Sequence, residues 1–281
     1  MNNVISFEKL GLSFNISRTA FSLFGIDVYW YGIIIAAGLV AAFIYASYAS
    51  EKEGINQNDF LNMFIIAVPC SIIGARLYYC IFSFDSYKNN LADIFNLRQG
   101  GLAIYGGIIA AFAVVLVYCK IKHIKASKVL DVLAVGLLIG QCIGRWGNFV
   151  NGEAFGTASD NFLAMTIVQN GKTIAENVHP TFLYESLWNI LGIAVILSYK
   201  KKRLFSGELF CLYMVWYGLG RMYIEGLRSD SLYIGEFRIS QLLSAAILII
   251  GVLLTIRGRK LVKAEKRSAD ENTDEIKEEI V

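Results

Sequence analysis

The sequence predicts an all-α polytopic membrane protein of about seven transmembrane helices carrying a small extracytoplasmic β-hairpin head. Three observations carry that reading. Apolar residue types make up 56% of the 281 residues and charged types 17%, against roughly 45–50% and roughly 25% in soluble domains. The charge is unevenly spread, with 14 charged side chains crowded into residues 257–281. The apolar residues fall in long runs rather than in short alternating ones, and a helix needs about 20 of them to cross a bilayer. These numbers exclude a disordered chain, a collagen-like repeat and a disulfide scaffold. The net charge of +3, carried in loops rather than stripes, gives no basis for nucleic-acid binding.

Seven runs satisfy the length requirement, at 26–48, 60–82, 101–119, 129–146, 181–199, 208–226 and 237–256. The opening stretch to Leu23 lacks a basic segment followed by an apolar core, so it does not read as a cleaved signal. Residues 1–25 are therefore assigned to the membrane interface on the extracytoplasmic side. Pro69 falls inside the second run and Pro180 at the start of the fifth, where a kink and a first turn tolerate it. Between the fourth and fifth runs, residues 147–180 contain two partly alternating segments about Asn170-Gly171, a favoured hairpin dipeptide. They form the predicted head, inserted in a transmembrane domain over 26–256. The mixed Lys/Glu tail over 257–281 reads as a solvated helix or as disorder.

Basic residues set the direction. One set of loops and the tail hold 16 of the 26 lysines and arginines and the opposite set 7, Arg98 among them. The positive-inside rule then places the N-terminus outside and the C-terminus in the cytoplasm. Cys70, Cys80, Cys119, Cys142 and Cys211 all lie in apolar runs with no CxxC spacing. They read as small buried hydrophobes. With only two histidines, no metal site or cofactor is expected.

Arg76, Tyr105, Arg145, His179, Glu185, Arg221, Glu225 and Tyr31 all fall toward the outer ends of their spans, whereas Asp131 falls toward the inner end of the fourth. An arginine or aspartate at mid-membrane costs about 2.5–3.5 kcal/mol on insertion scales, so such residues are paired or line a wet cavity. Arg221 and Glu225 at i, i+4 can pair on one helix face, and Arg228 continues it. Ion pairs that only lock helices together are one outcome. A polar cavity that accepts an anionic head group is the other. Two glycine-rich stretches, RQGGLAIYGG over 98–107 and GRWGNFVNGEAFG over 144–156, favour the second, because glycine lets a loop fold back and offer its amides to an anion. Gly136, Gly140 and Gly144 are explained by close helix packing. Asn148, Asn151 and Glu153 beside Arg145 are not, and read as a binding loop.

These segments resemble the prolipoprotein diacylglyceryl transferase family. Gly144 to Gly156 matches the signature G-R-x-G-N-F-x-N-x-E-x-x-G at each of its eight fixed positions. Trp30-Tyr31-Gly32, Gly100-Gly101-Leu102, His179-Pro180 with Leu183-Tyr184-Glu185, and Gly220-Arg221 with Glu225 and Arg228 match further motifs in the family's order. The resemblance implies a bacterial cytoplasmic-membrane enzyme that moves the sn-1,2-diacylglyceryl group of phosphatidylglycerol to the lipobox cysteine of a prolipoprotein signal peptide. It implies Arg145, Arg221, Tyr31, Tyr105 and Glu153 as catalytic candidates. It also implies Asn148, Asn151, Glu225, Gly101, Gly156, His179 and Glu185, together with the two arginines, as substrate-binding ones. Tyr105 stands where many members have a histidine assigned to catalysis. With an ordinary pKa near 10, tyrosine is a poor base, though it can donate a hydrogen bond.

Arginine forks suit a phosphate leaving group, and an electropositive site lowers a thiol's pKa from about 8.5. Glu153, Glu185 and Glu225 are candidates to take the thiol proton. Because the nucleophile belongs to the substrate, none of the chain's own cysteines is required. A secondary transporter is the main rival, and a lipid-binding membrane protein without chemistry is another. The glycine-broken stretches do not occupy matching places in two halves, as inverted repeats require. Intramembrane proteolysis lacks its GxSG, GxGD or HExxH, and a metal-dependent lipid synthase lacks its aspartates.

Overall fold

A computed structural model describes residues 2–88, 90–96, 100–229, 233–235 and 237–279. Arg98 and Gln99, in the first glycine-rich stretch, lie outside the described residues. The chain divides into two compact units, Met1–Ala46 with Asp131–Val281, and Ser47–Leu130. Its helices are α1 (Trp30–Lys52), α2 (Gln57–Phe82), α3 (Ile104–Ile121), α4 (Ala126–Asn151), α5 (Thr181–Tyr199), α6 (Glu208–Leu227) and α7 (Ile239–Glu279). All but α6 are long and apolar enough to cross a membrane, giving six such helices among the described residues. The sixth expected run, 208–226, does form a helix, but Glu208, Arg221 and Glu225 on twenty residues dilute its hydropathy. Side chains such as Ile44, Ile73, Ile81 and Ile109 are 63%, 58%, 70% and 62% exposed, a surface suited to lipid rather than water.

In the larger unit, α1 and α4 pack through small residues. A Cβ on Gly38 would lie 3.3 Å from the Gly140 carbonyl, and one on Gly136 3.4 Å from that of Ala42. This is the close approach read from the glycine ladder. Helices α5 and α6 are locked by Trp188 and Trp216, whose rings stack at 4.5 Å. Each indole N–H donates to the other residue's carbonyl, at 3.1 and 3.0 Å. Asp131 is accounted for separately: its carboxylate accepts from the Gly207 and Phe210 amides at 2.7 and 3.0 Å, capping the start of α6.

The head is larger than the expected hairpin. Strands β5 (Met165–Gln169) and β6 (Lys172–Val178) turn at Asn170-Gly171, both at positive φ as a tight hairpin turn requires. To them are added β1 (Asn2–Phe7) and β2 (Leu12–Ser17), in the antiparallel order β2-β1-β5-β6. The opening segment thus supplies half of a sheet, and Ile5, Phe7, Met165, Ile167 and Val178 form its core with Phe182 of α5. Strands β3 (Thr19–Leu23) and β4 (Ile26–Tyr29) form a separate hairpin, so α1 starts at Trp30 rather than at 26. A two-residue pair, β7 (Tyr233–Ile234) with β8 (Phe237–Arg238), precedes α7, which runs on through the charged tail as one helix.

In the smaller unit, α2 and α3 interdigitate at Gly74 and Gly106, where a Cβ on Gly74 would sit 2.7 Å from the Gly106 carbonyl. Arg76 is 5% exposed. Its Nε donates to Ile94 O (2.7 Å), Nη1 to Gly100 O (2.7 Å) and Gly101 O (3.0 Å), and Nη2 to Asp93 O (2.6 Å) and Asn96 O (3.1 Å).

Candidate active site

Helix α4 does not end at residue 146 but runs to Asn151, so Arg145, Asn148 and Asn151 are helical. The expected binding loop is therefore the last two turns of a helix, and the i, i+3, i+6 spacing puts all three on one face. Arg145 Nη1 donates to Asn148 Oδ1 at 3.4 Å. Gly152, at φ +61°, ends the helix as a left-handed cap. The Glu153 carboxylate then turns back to accept from Asn148 Nδ2 at 3.0 Å and Asn151 Nδ2 at 3.2 Å.

The last carbonyls of α4, orphaned as at any helix end, are met by side chains from far along the chain. Asn3 Nδ2 donates to Val150 O at 2.7 Å, and Gln169 Nε2 to Asn151 O and Gly152 O at 3.2 and 3.1 Å. Arg18 Nη2 donates to Asn151 O at 2.6 Å, a cation at a helix C-terminus.

Glu185 lies in the second turn of α5, 8% exposed, and joins two helices' arginines. Its Oε2 pairs with Arg145 Nη2 and its Oε1 accepts from Arg221 Nη1 at 2.6 Å. Arg221 Nη2 meets Glu225 Oε2 at 2.7 Å, the pairing expected from their spacing, and Arg228 Nε lies 3.9 Å from the same oxygen. Among the described residues, these three arginines thus share two carboxylates. The tryptophan lock fixes α5 against α6 one turn from Glu185, which sets the register of Glu185 against Arg221.

Tyr31, 37% exposed, lies over Gly147, where a Cβ would come within 2.9 Å of its ring. With Arg18, Val28, Ile33, Ala36 and Asn151 it lines a groove of about 660 Å³, polar at one end and apolar along α1.

Gly156 is held between two strands of contact: its amide donates to His179 O at 2.9 Å, and the Thr157 amide to Leu227 O at 2.7 Å. A Cβ on Gly156 would lie 2.6 Å from His179 Cβ and 2.8 Å from Leu227 O. The His179 ring bonds Asn161 Nδ2 and Tyr184 Oη, at 3.1 and 3.2 Å. Gly101 and Tyr105 belong to the smaller unit. Gly101 receives Arg76, and Tyr105 sits in the first turn of α3.

Residues 18–257 match the family model described as prolipoprotein diacylglyceryl transferase. The chain belongs to the prolipoprotein diacylglyceryl transferase family. Among similar proteins is the phosphatidylglycerol–prolipoprotein diacylglyceryl transferase of Finegoldia magna, 46% identical over 252 residues, which covers 89% of this chain and 99% of that one. Proteins of the same name from Bacillus mycoides and Bacillus anthracis are 41% identical over 264 and 267 residues, 92–93% of this chain and 98–99% of theirs (92% and 98%, 93% and 99%). Membership in the transferase family sets the transporter reading aside and makes this a multi-pass membrane protein. The structure brings together the arginines, asparagines and glutamates singled out in the sequence, and adds Arg18, Asn161 and Gln169, which were not. Arg18 was visible only as one cation at the foot of the first span. The other two act through contacts with no local signature.

Proposed function

We propose that this chain transfers the diacylglyceryl group of phosphatidylglycerol to the lipobox cysteine of a prolipoprotein; its relatives are named as phosphatidylglycerol–prolipoprotein diacylglyceryl transferases. All seven helices cross the bacterial cytoplasmic membrane in this reading, with the head and site on the extracytoplasmic side. The bias of basic residues toward one set of loops supports that direction.

The observation that carries the chemistry is the single carboxylate of Glu185 joining Arg145 to Arg221. The two arginines are spaced to meet two oxygens of one small anion, and a phosphodiester offers such a pair. As the substrate thiolate attacks the glyceryl carbon, the carbon–oxygen bond to phosphate breaks and its electrons pass to that oxygen. The phosphodiester begins with one negative charge and leaves as glycerol phosphate with two. Arginines held in place beforehand stabilise the later state more than the earlier one, which is what lowers a barrier. Lysine cannot reproduce the fork. Arg145 and Arg221 take the phosphate, and Asn148 and Asn151 hydrogen-bond the glycerol head group. Glu225 orients Arg221.

Glu153 is exposed and engaged only by amide donors among the described residues, so it suits the role of proton acceptor for the thiol better than Glu185, which two arginines occupy. Tyr31, whose ring lies over Gly147, offers a hydroxyl as a further hydrogen-bond donor. The family resemblance supports Tyr105 as a hydrogen-bond donor and, separately, Gly101, Gly156 and His179 as substrate-binding positions. The apolar groove along α1 suits an acyl chain.

The test is transfer of labelled diacylglyceryl from phosphatidylglycerol to a lipobox peptide by the purified protein. Thioether product from wild type, lost in folded Glu153→Gln with the lipid still bound, supports this reading. Unchanged turnover in Glu153→Gln removes it as the base. No product from folded wild type with excess lipid overturns the assignment.

A further inference from the structure

The other end of the helices that carry the site holds a second cavity. A cleft of about 330 Å³ opens among α5, α6 and α7, with walls of Val195, Leu212, Val215, Val252 and Ile256. Small-molecule sites run from about 300 to 1,000 Å³. Its mouth is polar and built. Glu208, 1% exposed, accepts from Tyr199 Oη at 2.9 Å, from Arg259 Nε at 2.8 Å and from the Leu204 amide at 2.6 Å. Arg259 Nη2 donates to Tyr199 Oη at 2.7 Å. These bonds saturate the carboxylate and fix the guanidinium. They also leave Arg259 Nη1 without a protein partner among the described residues, on a side chain 49% exposed.

Next to these mouth residues the chain carries further cations. Lys200–Lys202 follow Tyr199 directly in a 3-10 turn, with Lys201 and Lys202 exposed, and Lys260 follows Arg259 and is exposed as well. An apolar cleft between membrane helices, ending in a fixed arginine with lysines next in the chain to its Tyr199 and Arg259, has the polarity of an amphiphile with an anionic head. We propose that this cleft is a binding site for an anionic phospholipid, its acyl chain along Val215 and Val252 and its phosphate at Arg259 and the lysines. Basic pockets between membrane helices bind lipid head groups in this way. The site is separate from the transfer chemistry and rests on no part of it. By the basic-residue bias it faces the leaflet opposite to the one that supplies the substrate, so it would tie this face of the protein to its membrane's anionic content.

The test uses the full chain in phosphatidylcholine nanodiscs with a trace of phosphatidylglycerol bearing a photoactivatable acyl chain, and maps the labelled peptides. The expected result is labelling at Val215, Val252 or Ile256 that unlabelled phosphatidylglycerol competes away and phosphatidylcholine does not. Lys201→Gln with Lys202→Gln and Lys260→Gln, which leaves the Glu208–Arg259 pair intact, lowers labelling by about fivefold per lysine at low salt. Val252→Trp, which fills the cleft from a partly exposed position, lowers it at least about tenfold, and Arg145→Ala leaves it unchanged. Equal labelling by a photoactivatable phosphatidylcholine, or full labelling in Val252→Trp, overturns the site. The readout needs no turnover, so loss of transferase activity and loss of this site are separately visible.

Discussion

Arg76 and the Arg145–Arg221 pair are arginines sunk in apolar helices, and their surroundings neutralise them by opposite means. Arg76 is enclosed by five backbone carbonyls, with the Tyr87 ring 5.3 Å from its guanidinium carbon. Every donor direction is used by a group that cannot leave. Arg145 and Arg221 instead lean on carboxylates at the ends of side chains, with 23% and 16% of their own surface open. A carboxylate can be displaced by, or shared with, an incoming phosphate, whereas a carbonyl cage has no vacancy. The two kinds of buried arginine thus differ in what neutralises them, not in depth, and only the second kind has partners an anion could displace.

The sharpest test of that contrast is functional. Arg145→Ala and Arg221→Ala each should lower the transfer rate by about 10²–10³-fold, the size of a lost donor on developing charge, with a smaller loss of stability than at Arg76, because Glu185 keeps one arginine in either variant. The same substitution at Arg76 should reverse the pattern. Five carbonyls lose their donors, and at about 1–3 kcal/mol for a buried unsatisfied group Arg76→Ala should lower stability by about 3 kcal/mol or more, read as a fall in melting temperature. Arg76→Lys should recover only part of it, because a point ammonium cannot reach all five.

Gly156→Ala comes next. Its Cβ would press on His179 Cβ and the Leu227 carbonyl, and overpacking of this kind costs about 1–3 kcal/mol. Stability and turnover should fall together, since the segment straps α5 to α6. The smallest effect is expected at Arg18→Gln: a few-fold rise in KM for phosphatidylglycerol with kcat nearly kept, because Arg18 stands at the groove rather than at the reacting atoms. A fall in kcat without a change in KM would move Arg18 into the chemistry.

The helices were legible because crossing a bilayer demands a long apolar run, and the site was legible because charge inside such a run has few innocent explanations. The pairing of Arg221 with Glu225 followed from helical spacing alone. That same charge is why α6 falls short of the hydropathy its neighbours reach. The part Glu185 plays between two helices was out of reach, since spacing along one helix says nothing about a partner on another. The Arg76 cage was invisible for a different reason: its acceptors are backbone carbonyls, which every residue has. The strand Asn2–Phe7 also escaped notice, because its partner β5 lies some 160 residues away and one alternating hexapeptide is a weak signal.

That last pairing has a consequence for how the molecule is made. Asn3 sits opposite Gln169 in the sheet, and both hold the final carbonyls of α4. The geometry of Asn148, Asn151 and Glu153 therefore depends on two stretches of chain that are synthesised far apart, with four long helices between them. Contacts of such sequence separation are slow to close. The contacts that hold the asparagines next to Arg145 therefore exist only in a chain whose first strand has paired with its fifth, and competence for transfer is expected to follow closure of that sheet rather than insertion of the helices alone.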